Sequence, residues 1–350
     1  SQGAVSCMKP TVSPAPVRGR TTSMTTPKRL LRLADDSWLQ QILDGTASSG
    51  PTGSSGIGDE GSSVGSVTDF WQALPSQLRQ PENAEPFSQA VLGANRADRI
   101  SYATVCGHQA ATRVIRPHLE AEQLVAFCAS EEGGAHPRAI HTRLTAERGD
   151  FVLTGQKRWA TLAPVADRLL VIASIGQENG RNLLRLVEVP ADRQGIEIRP
   201  MPTTDFTPEI RHAEIEFDGV AVARHEVADG DAYLNAVKPF RLIEDTLIGC
   251  AVLALNLRLA LECEWPEASC EELVALLLSG QAVFQLPPSD PATHLAAAGW
   301  SRLRHQVLAR HREDNLWQRV PEQVRLSWQR DTQKSVAARA RELRRLRAWQ

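Results

Sequence analysis

Residues 127–161 decide the fold, and they read FCASEEGGAHP (127–137), RAIHTRLTAERGD (138–150) and FVLTGQKRWAT (151–161). Short apolar runs alternate with charged and glycine-rich turns, a pattern typical of β-strands with tight connections. The stretch ends with Lys157, Arg158 and Trp159, in a chain that has 5% aromatic residues. A tryptophan beside two cations indicates a corner that packs on a flat group, although the buried tryptophan of a barrel corner would give the same sequence.

The period-two pattern extends on both sides of this stretch, from about residue 123 to residue 217. Turn residues interrupt it about every ten residues, which leaves seven strand-like segments. Gly149 and Asp150 are expected to form a hairpin turn between two of them. The pattern therefore predicts a compact antiparallel barrel or sandwich of roughly 100 residues.

Helical periodicity flanks this β unit, with apolar residues at spacings of three and four. One apolar stripe, over residues 100–115, contains small residues such as Gly107 and predicts a close approach to another helix. Residues 234–262 predict one long helix. Further helices are expected at 271–278, 294–312 and 321–349, with a loop over 280–291. The predicted fold class is α+β: an N-terminal helical bundle, a central antiparallel β-barrel or sandwich, and a C-terminal helical bundle.

These patterns divide the chain into four parts. Residues 1–66 are expected to be a disordered extension and linker with a short helix at 37–43, 67–122 an N-terminal helical domain, 123–226 a middle β domain and 227–350 a shortened C-terminal helical domain. Residues 45–66 are nearly all Gly, Ser and Thr, which bury too little apolar surface to offset the entropy of ordering.

The first 33 residues contain six Lys and Arg and no Asp or Glu. Such a composition fits a transit peptide, whereas the prolines in this segment oppose an amphipathic helix. A disordered extension, or a start upstream of Met24, is the alternative interpretation. We expect a cytoplasmic protein, or one of the mitochondrial or another organelle matrix if the segment is a transit peptide.

The composition excludes several classes of protein. A formal net charge of −2 argues against a general nucleic-acid or membrane-surface binder. No apolar run approaches the roughly 18 residues of a membrane span. The six cysteines are scattered, without a C-x-x-C pair or a histidine at ligand spacing, so we expect reduced thiols and no metal site.

The layout of helices, barrel and helices resembles the acyl-CoA dehydrogenase family, and two motifs make the resemblance specific. The family's barrel opens with an aromatic residue, a small residue or Cys, a small apolar residue, Ser/Thr-Glu-Pro, two variable positions and Gly-Ser-Asp, where residues 127–137 read FCASEEGGAHP. It continues with Gly-Asp, an apolar strand and Gly-x-Lys-x-Trp-Ile-Thr/Ser, where residues 149–161 read GDFVLTGQKRWAT. The resemblance is close over 124–222 and extends loosely to the helix from residue 234.

The resemblance implies an FAD-dependent oxidoreductase that acts on CH–CH bonds of an acyl-CoA-type substrate. A homo-oligomer and an electron-transfer partner are also implied. The cofactor-binding residues implied by position are Phe127, Ala129, Ser130, His136, Trp159 and Thr161. A flat, apolar ring with one polar edge needs an aromatic wall and hydrogen-bond donors, which these residue types provide.

The chain also departs from the family. Gly-Ser-Asp is replaced by Ala135, His136 and Pro137, and Pro137 has no N–H to offer a phosphate. Neither the Arg-x-x-Phe-Gly segment that reaches a neighbouring subunit's cofactor nor the Tyr/Phe-Glu-Gly-Thr run beside the usual base is present.

A minority of the family places the catalytic base early in the first long C-terminal helix, which points to Glu244. Asp245 is the alternative, and an ordinary carboxylate on a helix face would give the same pattern. Two other functions stay open on the same scaffold: a degenerate relative that serves as a binding or regulatory protein, and a flavin-dependent oxygenase that needs no such base.

Overall fold

Helices precede and follow a single β-sheet in the computed structural model, which describes residues 37–45, 66–75, 78, 85–332 and 338–349. The helices before the sheet are α1 (Ser37–Leu43), α2 (Val67–Ala73), α3 (Pro86–Asn95) and α4 (Ile100–Ile115). Those after it are α5 (Lys238–Glu262), α6 (Glu267–Phe284), α7 (Pro291–Glu313), α8 (Glu322–Thr332) and α9 (Ala338–Ala348). This architecture confirms the predicted fold class. Most of the expected N-terminal extension and linker lies outside the described residues.

The sheet has seven strands. They are β1 (Val125–Cys128), β2 (Arg143–Glu147), β3 (Asp150–Thr161), β4 (Arg168–Glu178), β5 (Arg181–Pro190), β6 (Ile196–Pro200) and β7 (His212–Val222). The order is β1-β4-β2-β3-β7-β6, and β5 lies off this path and pairs with β4. Strands β1 and β2 pair with different parts of β4, whereas β5 pairs along its whole length. Arg148 and Gly149 both have positive φ, as the tight β2–β3 hairpin requires.

The sheet is mixed rather than wholly antiparallel, because β1 and β2 both run parallel to β4. The hairpin of β2 and β3 lies between β1 and β4 in the chain and supplies the crossover that a parallel pair needs. Strand periodicity reports which side chains share a face but not the direction of the neighbouring strand. The sequence pattern therefore could not predict which strands pair in parallel.

Two buried polar residues of α4 hold the start of the sheet against the helices. The Gln109 side chain donates to the Val125 carbonyl at 2.9 Å and accepts from the Val125 amide at 3.0 Å. Arg113 donates to the carbonyls of Glu120 and Gln123, which precede β1. These bonds satisfy backbone groups at the edge of the sheet and fix where β1 begins.

Helices α4 and α5 make the close approach that the small residues predicted. A Cβ on Gly107 would lie 2.6 Å from the backbone N and Cα of Ile248. Helix α5 lies at the centre of the helical core, and most of its apolar side chains are buried. The backbones of the two helices thus meet directly at Gly107.

One expectation for the C-terminal helices is wrong. Residues 280–284 continue α6 instead of starting a loop. Gly280 lies buried in this helix, where an added Cβ would come within 2.4 Å of Cys250 Sγ. The glycine there serves helix packing rather than a turn. Helices α8 and α9 both lie within the helix predicted over 321–349, and residues 333–337 between them lie outside the described residues. Of the described helices, none is long and apolar enough to cross a bilayer.

The Gly107 contact predicts unequal effects for the same substitution at two helical glycines. Gly107→Ala should lower the free energy of unfolding by about 1–3 kcal/mol, since its methyl group overlaps the backbone of α5. Gly299→Ala in α7 is the control, because nothing lies within 4 Å of its added Cβ. It should leave stability unchanged or raise it by up to about 1 kcal/mol. Urea denaturation measures both, and equal effects would contradict a backbone contact at Gly107.

Candidate functional site

A cleft of about 190 Å³ lies where β1 and β3 meet helices α4 and α5. The sheet supplies an aromatic wall and two hydroxyls, and the helices supply aromatic and ionisable side chains. The lining residues are His108, Phe127, Ala129, Ser130, Ala135, Trp159, Thr161, Val237, Phe240, Arg241, Glu244, Asp245 and Arg344. The cleft therefore collects Phe127, Ala129, Ser130, Trp159, Thr161 and Glu244, which the sequence places far apart.

An irregularity in β3 turns Trp159 out of the sheet. The pairing of β3 with β7 shifts register between Lys157 and Ala160, and Trp159 has a left-handed φ of 59°. Its side chain is 53% exposed, whereas Lys157 and Ala160 are buried. The ring meets the edge of His212, at 6.1 Å between ring centroids. A bulge is a common means of redirecting a side chain, and here it presents a flat aromatic surface to the cleft.

Two hydroxyls beside Trp159 have unused hydrogen-bonding capacity. Those of Ser130 and Thr161 make no hydrogen bond to any other described residue. The Ser130 carbonyl accepts from the Arg158 amide at 2.8 Å, which holds the segment after β1 against β3. The two sequence motifs thus meet side by side and offer donors to a polar edge.

The helical side of the cleft is built around Phe240. Its ring stacks on Phe127 with centroids 4.0 Å apart, and the His108 ring meets it edge-on at 5.8 Å. His108 Nδ1 lies 2.7 Å from Glu244 Oε1. The Glu244 side chain is 27% exposed, and His108 is buried. A partly accessible carboxylate thus lies in the cleft with one oxygen held from behind.

The two carboxylates considered from the sequence have different partners. Glu244 pairs with His108, and Asp245 forms an ion pair with Arg344 of α9. Arg344 lies 99 residues after Asp245 in the chain, so their ion pair joins α9 to α5 and gives Asp245 a structural role. Glu244 is consequently the better candidate for a group that moves a proton.

His136 takes a different place from the other predicted residues. It does not line the cleft, and its Nδ1 accepts from the Arg138 amide to start the short helix Pro137–Ala139. The neighbouring Glu132 pairs with Arg158. The Glu132 side chain is largely exposed, so the segment from Glu132 to His136 forms a turn at the surface.

A buried ion pair joins the two motifs beneath the cleft. Lys157 Nζ donates to Glu131 Oε1 at 2.7 Å, and Glu131 also accepts from the amides of His141 and Thr142. Burial opposes the charge on Glu131, yet Lys157 and the two amides bring its pKa below the ordinary value. Burial lowers the pKa of Lys157, an effect that Glu131 opposes. The carboxylate therefore bridges β3 and the turn before β2.

Most of the residues that sequence reasoning missed come from the helices. His108, Phe240 and Arg344 lie in the cleft through tertiary packing, and His212 reaches Trp159 from β7. Burial lowers the pKa of His212, with His108 acting in the same direction. The one usable signal was a histidine directly after Gly107, on a helix whose small residues predict a close neighbour.

Comparison with known proteins finds similarity to one family over the sheet. Residues 126–220 match the family described as acyl-CoA dehydrogenase, middle domain. The seven-stranded sheet of this chain is thus similar to the middle domain of that family. Benzylmalonyl-CoA dehydrogenase of Aromatoleum aromaticum is 31% identical over 194 residues, which are 53% of this chain. They are 49% of that protein, so the chain spans about half the length of this curated relative.

Solved structures extend the likeness to the whole fold. Glutaryl-CoA dehydrogenase from Mycobacterium smegmatis in complex with FADH2 has a TM-score of 0.56 at 14% identity, over 91% of this chain and 95% of that one. Dibenzothiophene monooxygenase from Paenibacillus sp. A11-2 has a TM-score of 0.55 at 13% identity, over 79% and 87%. The acyl-CoA dehydrogenase fold is thus present from the N-terminal helices to the C-terminal bundle.

The ion pair beneath the cleft predicts a large loss of stability when one partner is removed. Lys157→Met should lower the free energy of unfolding by about 3–5 kcal/mol, because Glu131 would stay buried without its counter-ion. Arg199→Met is the control, since Arg199 pairs with Glu197 and Glu216 at the exposed surface of the same sheet. Denaturation should detect little change for the control, and a similarly small change for Lys157→Met would contradict the inferred clamp.

Proposed function

We propose that this chain is a flavin-dependent oxidoreductase that removes hydrogen from an acyl-CoA-type thioester. One observation carries the proposal. The carboxylate of Glu244 shares a single cleft with Trp159, Ser130 and Thr161, the residues that the family motifs direct toward a flavin. A base and a flat binding wall in one cleft are what dehydrogenation next to a carbonyl requires.

The residues present fit the ring system of a flavin. Trp159 offers an exposed aromatic face, and the hydroxyls of Ser130 and Thr161 are free to meet a polar edge. A cleft of about 190 Å³ is smaller than the 300–1,000 Å³ or so of pockets that enclose drug-sized ligands. It suits a ring, and the rest of an FAD would extend beyond it.

In this proposal the residues divide the work between holding and proton transfer. Trp159 would cover one face of the ring, while Ser130 and Thr161 would orient its edge. Glu244 would take the proton from the carbon next to the thioester carbonyl, breaking the C–H bond and forming O–H on the carboxyl group. A bound flavin supplies the capacity to accept the hydride that leaves the neighbouring carbon.

One feature favours a second candidate, a binding or regulatory protein on the same scaffold. The segment that meets the cofactor phosphates in the family is occupied with its own contacts. Glu132 pairs with Arg158, His136 caps a short helix, and Pro137 has no N–H. The visible spectrum of the purified protein separates the two candidates. A band near ~450 nm that bleaches anaerobically with an acyl-CoA supports the dehydrogenase.

Two other spectral outcomes would redirect the proposal. A band that bleaches only with an external reductant would indicate an oxygenase. A colourless protein that takes up no added FAD would overturn both enzymatic candidates and leave the binding protein.

Glu244→Gln should lower the rate of acyl-CoA-dependent bleaching by about 10²–10⁴-fold, the usual contribution of a positioned base. Flavin content should be unchanged, since the amide keeps the size of the side chain. Glu271→Gln, on the exposed surface of α6, is the matched control and should bleach like the parent. Normal bleaching of Glu244→Gln in stopped-flow measurements would exclude Glu244 as the base.

Trp159→Ala should reduce FAD occupancy of the purified protein, because the exposed ring is the wall on which the flavin would lie. Trp349→Ala removes an exposed tryptophan that directly follows α9 and lies outside the cleft lining, so the FAD occupancy of this variant should equal that of the parent. Occupancy follows from the absorbance ratio of flavin to protein. Equal occupancy in both variants would make Trp159 a residue of the sheet surface alone.

A further inference from the structure

We propose that His108 is a positioning residue that holds Glu244 in the orientation needed to take the substrate proton. This inference rests on the proposed function, since it assigns a partner to the proposed base. It stands on three observations: a short contact, a buried imidazole with one unpaired nitrogen, and a helix contact that sets the distance between the two side chains.

The contact involves one carboxylate oxygen. His108 Nδ1 lies 2.7 Å from Glu244 Oε1, whereas Oε2 makes no hydrogen bond to any other described residue. A bond to Oε1 restricts rotation of the carboxylate while leaving Oε2 for the substrate. The partly exposed side chain gives that oxygen access to the cleft.

The second nitrogen of His108 indicates which tautomer is present. His108 is 2% exposed, and its Nε2 is buried without a hydrogen-bond partner among the described residues. A buried N–H left unpaired is rarer in proteins than an unpaired acceptor. We therefore assign the proton to Nδ1, which donates it to Glu244 Oε1.

The backbones hold this pair in place. Gly107 precedes His108 on α4, and Ile248 follows Glu244 by one turn on α5. The contact of Gly107 with the backbone of Ile248 brings the helices close enough for the side chains to meet. Phe240 packs edge-on against the imidazole and limits its rotation.

The other ionisable groups near Glu244 have other roles. On α5, Asp245 pairs with Arg344 of α9, and Arg241 lines the cleft without a hydrogen bond to Glu244. On β7, His212 packs against Trp159. Among the described residues, His108 is thus the group that hydrogen-bonds the proposed base.

The proton transfer can then be written with its atoms balanced. Glu244 Oε2 accepts the proton from the carbon next to the thioester carbonyl, and the electron pair of the broken C–H bond stays on the substrate. His108 keeps its Nδ1 proton throughout, and its hydrogen bond to Oε1 holds the Glu244 carboxyl group in the same orientation before and after the transfer. Its role is orientation rather than proton transfer.

Two amide substitutions of His108 test the role of Nδ1. Asn can place an N–H close to the position of Nδ1, whereas the longer Gln places its N–H near the position of Nε2. His108→Asn should retain α-proton exchange of an acyl-CoA in D2O within about tenfold of the parent. His108→Gln and His108→Leu should lose about 10²-fold, the cost of misplacing a catalytic group by about 1 Å.

The exchange measurement, by mass spectrometry on flavin-loaded protein, is paired with the KM of turnover and with thermal unfolding. A positioning role predicts that kcat falls while KM and the unfolding temperature of His108→Gln stay close to those of His108→Asn. Equal exchange in the Asn, Gln and Leu variants would overturn the inference, as would losses that follow the unfolding temperature.

Nitrogen NMR of ¹⁵N-histidine-labelled protein gives a readout independent of activity. The parent should show a protonated, hydrogen-bonded Nδ1 for His108, and Glu244→Gln should shift that signal. A proton on Nε2 instead would overturn the assignment. If the tautomer is as proposed but the parent catalyses no α-proton exchange, the pairing holds while the proposed function and the positioning role both fail.

Discussion

The buried ion pair of Glu131 and Lys157 is the interaction on which the site depends. Lys157 is 1% exposed, and the Glu131 carboxylate accepts from three donors, the Lys157 ammonium and the amides of His141 and Thr142. Removing either partner would therefore leave the other charge buried without its counter-ion. The pair joins the segment after β1 to β3, which brings the Ser130 hydroxyl beside the wall formed by Trp159. The geometry of the cleft on its sheet side thus follows from one salt bridge placed below it.

Strand periodicity and the two motifs were enough to predict the sheet side of the cleft. Their residues lie within 35 positions of one another and are joined by a hairpin, so local pattern and short connections determine how they meet. The helical side was harder to predict. His108 and Glu244 are 136 residues apart, and no local pattern relates a histidine on one helix to a carboxylate on another. Only the small residue beside His108 reported that a neighbouring helix would come close.

The wrong predictions share a physical cause, which is that glycine and alternating patterns have more than one use. Gly280 ended a predicted helix, yet it is buried where α6 packs on Cys250 and Trp300, and a side chain there would not fit. Likewise, alternation predicted strands but not that β1 and β4 run parallel. In both cases tertiary packing, which local propensity does not contain, decided the outcome.

The two ends of the candidate cofactor site are held by interactions of very different cost. The ring end depends on buried groups, so a change at Lys157 or Glu131 would disturb the whole β unit. Ala135 is buried, but the rest of the segment 132–137 is partly or fully exposed. Glu132 pairs with Arg158, and His136 accepts from the Arg138 amide. Substitution there costs little folding energy. The fold can therefore persist although residues 132–137 differ from the family segment that meets the cofactor phosphates. Trp159 and the hydroxyls of Ser130 and Thr161 stay in place.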